Sequence, residues 1–235
     1  ALPILLTQYL EPGVPVIKQF HTIERLLMST DVDGQTFAVD QIAKLVDWDN
    51  VAVHDNIEKV VGTQIIRRLL EHSEDIRKNY LQLRSLTVLI NIANGRREHA
   101  ETIVNEGGVR VFARILQNQS DHDVIETTIW ALSNIAVTHR ESCLLEGTLA
   151  LVLRTINTKL EEVGTTPRAV DTIRVATWGF ANLIGGEPAP REYWVLLENV
   201  QQASQTLAKL LDRKRQSLRL STKTSSVSVE SLVGG

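Results

Sequence analysis

One cysteine, six prolines and 11 aromatic residues in 235 set the first limits on this chain. A lone Cys143 excludes an intrachain disulfide and fits a reducing compartment. It also has no cysteine partner for a metal. The six histidines, His21, His54, His72, His99, His122 and His139, are scattered without a His-x3-His pair, so no zinc-type ligand set is expected. No Gly-rich phosphate loop and no Gly-x-Ser-x-Gly elbow occurs, and the chain reads as a non-enzyme with no cofactor. No apolar run approaches a membrane span, and Ala1–Leu6 is too short and lacks the basic flank of a signal peptide. Twenty-five basic residues against 28 acidic give a net charge of −3, which offers no general attraction for nucleic acid or a membrane surface. The chain begins with Ala rather than Met, as a fragment or a processed form would.

What is present is helical. Leu, Val, Ile and Ala dominate the 43% apolar content, and the clearest stretch is Asp123–Ala136. Ile125, Ile129, Leu132, Ile135 and Ala136 recur there at three and four, the spacing of an amphipathic helix. Trp130 and Asn134 are four apart and share one face. Asn competes for backbone hydrogen bonds and is a poor helix-interior residue, so this position points to a demand from outside the helix. The pair returns as Trp178 and Asn182, and a third copy keeps Asn91 with Thr87 in place of the Trp.

The surroundings repeat too. Val60–Leu70 overlays Glu106–Leu116 and Glu146–Ile156, each with a Gly near its start (Gly62, Gly107, Gly147). Each Gly is expected to end one helix in the left-handed conformation before the next begins. A fourth copy, Val200–Leu211, drops the Gly. The Asn positions recur at lags of 43 and 48, the five extra residues being placed in Asn157–Asp171. Repeats of this length built from two or three helices predict a HEAT or armadillo solenoid with a concave face, a globular bundle being the alternative. N-terminal helices forming an ill-defined first repeat are expected over 1–55, at Ile17–Met28 and Phe37–Val46 with a turn at Asp31–Gly34. The repeats follow over 56–211, and a disordered tail over 212–235, with six Ser and Arg213, Lys214, Arg215, Arg219 and Lys223.

The repeats resemble importin-α, the armadillo adaptor that carries nuclear localisation signals. The likeness rests on Leu81–Leu83 with Asn91–Gly95, on Thr102–Val104 before Glu106–Val109, and on Asp123–Val124 with Trp130–Ala136. Ala176–Trp178, Asn182–Leu183 and the turn Gly186–Pro190 complete it. The resemblance covers about Asn56–Leu211 and implies an all-α, right-handed superhelical armadillo solenoid working between cytoplasm and nucleus. Asn91, Gly95, Trp130, Asn134, Trp178 and Asn182 would then bind an extended basic peptide of a cargo protein. The chemistry stands without the family name. An Asn amide offers a donor and an acceptor to the backbone of a strand, and Trp rings pack the stem of a Lys or Arg while attracting its charge. An isolated Trp or Asn on a helix is more often structural; their joint recurrence turns both toward a ligand.

The chain also departs from that family. Thr87 stands where its first groove Trp belongs, and Thr138 where an Asp pairs with the key Lys. Arg96 and Arg97 follow Gly95 where the family is not basic, although Arg67-Arg68 and Arg96-Arg97 also read as solvated helix ends. No basic arm for importin-β precedes the repeats, so that partner is expected only where such an arm stands outside this chain. The alternative function is a non-transport armadillo scaffold that binds neutral or acidic protein segments, with Arg96, Arg97 and Arg140 contributing.

Overall fold

Prolines, caps and glycines cut the chain into ten helices among the described residues. The computed structural model describes residues 9–77, 79–162 and 165–185, with the single positions 205, 208, 209 and 212. The proline-bearing turn at 186–190 lies outside them. So, but for those single positions, do the copy over 200–211 and the basic tail.

After a 3-10 turn at Val16–Gln19 come α1 (Phe20–Leu27), α2 (Val32–Leu45), α3 (Val53–Val60), α4 (Thr63–Glu74) and α5 (Asn79–Ala93). They are followed by α6 (Arg97–Asn105), α7 (Gly108–Asn118), α8 (His122–Leu145), α9 (Thr148–Glu161) and α10 (Ala169–Ile184). No strand occurs among the described residues.

Two expected turns differ. The turn at Asp31–Gly34 is already helical from Val32, because the Asp31 carboxylate accepts from the Asp33 and Gly34 amides and caps α2. Gly34 is packed there: an added Cβ would lie 2.8 Å from Asp31 Oδ2. Asp31→Ala is expected to lower unfolding free energy by about 1 kcal/mol in urea titrations, the usual worth of an N-cap. The second difference is Gly62. Gly107 and Gly147 are left-handed at φ +79° and +70°, as expected, but Gly62 is extended at φ −114°. There Val61 makes a tight turn, with the Gly62 N–H donating to the Val60 carbonyl at 2.8 Å, and Gly62 follows extended, so the overlay marks a shared turn without a shared conformation.

The helices stack in rows. The long helices α2, α5, α8 and α10 pack successively on one another. Behind them run α1, α4, α7 and α9, again each against the next. Short helix α6 packs on both rows, and short helix α3 packs on α2. The third short helix is fused to α8, which bends at His139 (φ −132°, ψ 42°) instead of breaking. Gly95 follows the end of α5 at the equivalent place, where an added Cβ would collide with His99 Nδ1; at the matching Thr138 α8 continues. The extra length of the next repeat lies in a longer α9 and a longer link to α10, within the expected interval.

The core is aliphatic and continuous, with Ile66, Leu89, Ile92, Phe112, Ile129 and Leu132 at 0% exposure. Arginines tie successive repeats at the same overlaid position. Arg68 Nε donates to the Leu27 carbonyl at 3.3 Å, Arg154 Nη2 to that of Leu116 at 3.0 Å, and Arg114 binds Glu74 at 2.6 Å. For Arg68 and Arg154 the guanidinium meets the carbonyl end of a helix in the preceding repeat, where backbone acceptors are unpaired and the helix dipole is negative. Arg67 pairs with Glu106 and Arg96 with Glu58. Arg67 and Arg96 stay 61% and 64% exposed, solvated as expected even though they pair across elements; Arg68, half-buried against the Leu27 carbonyl, is the one that departs from that reading.

Candidate functional site on the long-helix face

Three neighbouring helices present matching stripes. On α5 the stripe holds Thr87 and Asn91, on α8 Trp130, Asn134 and Val137, and on α10 Trp178 and Asn182. Both tryptophans are far from buried, 51% exposed for Trp130 and 43% for Trp178, while Ile129 and Ala131 beside Trp130 are fully buried. A large aromatic residue left outside a well-formed aliphatic core is informative, because burial would otherwise stabilise it.

The two indoles touch edge to face, with centroids 6.1 Å apart and planes at 79°. Gly179 makes this approach possible. A Cβ there would lie 2.5 Å from Ile129 Cγ2 and 2.9 Å from Ser133 Oγ, so α10 sits closer to α8 than any other residue type permits. The Gly next to Trp178 is thus a packing device that sequence reading passed over.

Asn134 is half-buried, and its Nδ2 donates to the Ile90 carbonyl of α5 at 3.2 Å. One amide function thus braces two long helices. The other, Oδ1, remains an acceptor for a ligand. Asn91 and Asn182 are half-buried on the same face, and Gly95 lies half-buried at the end of α5. Thr87 turns its hydroxyl back to the Leu83 carbonyl at 2.9 Å, so α5 contributes no aromatic wall.

The face carries no charge. From 87 to 95, from 127 to 138 and from 175 to 185 no side chain is acidic or basic. Carboxylates begin one turn before Trp130, where Glu126 is engaged by Arg168 at 3.1 Å and by the Thr172 hydroxyl at 2.7 Å. Arg168 also binds Asp123. On α5, Arg84 and the Tyr80 hydroxyl hold Asp40 of α2 at 2.8 and 2.9 Å. Beneath this end, Lys159 is buried against Glu162 at 2.9 Å, and His122 joins Thr172 at 2.7 Å. At the opposite end stand the exposed Arg97 and the half-buried His139 and Arg140, the Arg140 guanidinium reaching the Gly185 carbonyl. Thr138 Oγ1 lies 2.8 Å from His139 Nδ1. Burial, with the Arg97 charge behind it, holds the His139 imidazole below its usual pKa. Cys143 is buried and its thiol is pushed up to about 12 by desolvation, an inert apolar residue as expected.

Three-helix units stacked in one direction, with an exposed Trp–Asn ladder on the third helix, define an armadillo-type repeat protein. The Armadillo/beta-catenin-like repeat family matches residues 96–137, the unit made by α6, α7 and the first part of α8. Solved armadillo structures share the architecture: a designed armadillo repeat protein in complex with the peptide (KR)4 has a TM-score of 0.61 at 17% identity, over 80% of this chain and 70% of its own. Importin subunit alpha-1b of Oryza sativa subsp. japonica is 29% identical over 88% of this chain and 35% of its own length. Importin subunit alpha-2 of Arabidopsis thaliana is 30% identical over 69% and 29%. The chain is an importin-α-like armadillo protein, divergent in sequence, and it spans about a third of the length of the curated relatives it matches.

Proposed function

We propose that this armadillo protein is an adaptor for nuclear protein import, holding an extended basic peptide of a cargo protein across α5, α8 and α10. Asn91, Asn134 and Asn182 clamp the peptide backbone, and Trp130 and Trp178 take the stem of a Lys or Arg. Gly95 belongs to the end of the α5 stripe. The observation that carries this reading is the half-exposed Trp130–Trp178 pair beside the amide ladder. A basic peptide bound to a designed protein of the same fold supports it, as do importin-α relatives. The domain division follows from it: N-terminal helices with a first repeat over 1–55, armadillo units over 56–211 and a tail beyond. Work in cytoplasm and nucleus, and a meeting with importin-β through a basic arm outside this chain, belong to the same proposal.

The second reading, a scaffold for neutral or acidic segments, has one observation in its favour. Arg97 and Arg140 flank the end of the face where Thr138 offers no carboxylate. A titration separates the two. Trp130→Ala is expected to weaken a Lys-rich peptide by about 1–2 kcal/mol through lost stem packing and cation–π attraction. Ala is a strong helix former and the site is half-exposed, so the fold should persist. Unchanged affinity would hand the site to the scaffold reading.

A further inference from the structure

The Trp face is chemically odd for an unmodified ammonium group. A Lys side chain carries three N–H donors and a tightly held hydration shell, so a site that desolvates it must offer acceptors. Here the carboxylate nearest by helix register, Glu126, is one turn away and committed to Arg168 and Thr172. No charged residue lies among 127–138 or 175–185, and Thr138 faces His139. What the face does supply is two indoles at nearly a right angle, 6.1 Å between centroids, both about half exposed. Asn134 and Val137 lie one and two turns farther along the same stripe. Two perpendicular aromatic walls without a carboxylate suit a cation that donates no hydrogen bonds and is weakly hydrated, the chemistry of quaternary-ammonium recognition.

We infer that the Trp130–Trp178 pair is an aromatic cage selecting a trimethyl-lysine side chain, within an extended peptide, over unmodified lysine. The inference rests on the peptide-groove reading above and narrows its ligand class. Gly179 is part of the device, since only a residue without Cβ lets α10 bring Trp178 to Trp130. Arg174, one turn before Trp178 and 3.9 Å from Asp171, opposes any cation equally and leaves the preference to the rings. The remaining acceptor of Asn134, with its donor held by Ile90, receives a backbone N–H of the peptide beside the cage.

The test uses the 235-residue chain and one labelled nine-residue Gly/Ser peptide with a single central side chain. Three versions carry lysine, trimethyl-lysine, or the neutral tert-butyl isostere of trimethyl-lysine. Fluorescence anisotropy is expected to show trimethyl-lysine binding about five-fold tighter than lysine and than the isostere. Trp130→Ala should erase that preference, and Trp130→Phe, which keeps a wall, should retain part of it. Lysine binding as tightly as trimethyl-lysine, with Trp130→Ala still weakening both, would overturn the cage and leave the basic-peptide groove intact. An isostere equal to trimethyl-lysine would also overturn it, since shape alone would then explain the site. Absence of any Trp130-dependent binding, with helicity unchanged by circular dichroism, would overturn the cage and the groove reading together.

Discussion

Phe112→Ala is expected to lower the unfolding free energy by about 3–5 kcal/mol, the usual loss for a fully buried Phe. Phe112 is 0% exposed and heads the largest fully buried side chains. It stands on α7, which packs against α4 in the preceding repeat, α6 and α8 in its own, and α9 in the following one. In a stack where each repeat touches only its neighbours, stability is a sum of unit and interface terms. A void at Phe112 therefore weakens a unit and both its interfaces at once. Chemical denaturation followed by far-ultraviolet circular dichroism checks this. A loss below 1 kcal/mol would mean that the rows are not packed as described. If the transition broadens or splits, that too follows from one-dimensional stacking, because the halves on either side of α7 would lose their coupling.

The parts legible in the sequence are those where local chemistry and global packing make the same demand. Asp123–Ala136 alternates apolar residues at helical spacing, and Ile125, Ile129 and Leu132 are buried as that spacing requires. Gly107 and Gly147 were legible because a left-handed residue between helices favours glycine. Gly62 falls one place later in the overlay, opposite Gly108, and does not share their φ, since a tight turn at Val61 followed by an extended Gly62 joins α3 to α4 equally well. The Trp–Asn register was visible because i and i+4 share a face whatever lies beyond it. Partnerships between repeats were not. Asp40 with Arg84, Arg68 with the Leu27 carbonyl and Asn134 with the Ile90 carbonyl span 44, 41 and 44 residues. An Arg bound across repeats and a solvated Arg have the same local sequence, so only the stacking reveals them. Gly179 was hidden for the same reason: its neighbour Ile129 is on another helix.

Thr138→Asp is expected to strengthen the binding of a Lys-rich peptide by up to about 1.5–3 kcal/mol, the worth of a charge-assisted hydrogen bond to an ammonium. Thr138 stands four residues beyond Asn134 and is half-buried, so an acid there joins the same stripe. Thr and Asp have similar helix propensities, and the backbone should not object. Arg97 and Arg140 stand at this end of the face and will reduce the gain, and salt will erode its exposed part. His139 gives the effect a pH dependence of known sign. Its Nδ1 is 2.8 Å from the Thr138 hydroxyl, and its pKa is held low by burial and then by Arg97. A carboxylate at 138 would raise that pKa, because it favours the imidazolium. Above the imidazole's titration the new acid is free for the ligand. As pH falls through that titration, the imidazolium pairs with it and the gain shrinks. Titrating one Lys-rich peptide against wild type and Thr138→Asp, at neutral and mildly acidic pH, reads both effects. The same substitution should also turn the face toward unmodified lysine and away from trimethyl-lysine, since only the former has N–H donors to give the new carboxylate. Equal affinity in wild type and Thr138→Asp at neutral pH would place the ligand's cation elsewhere than beside this turn of α8.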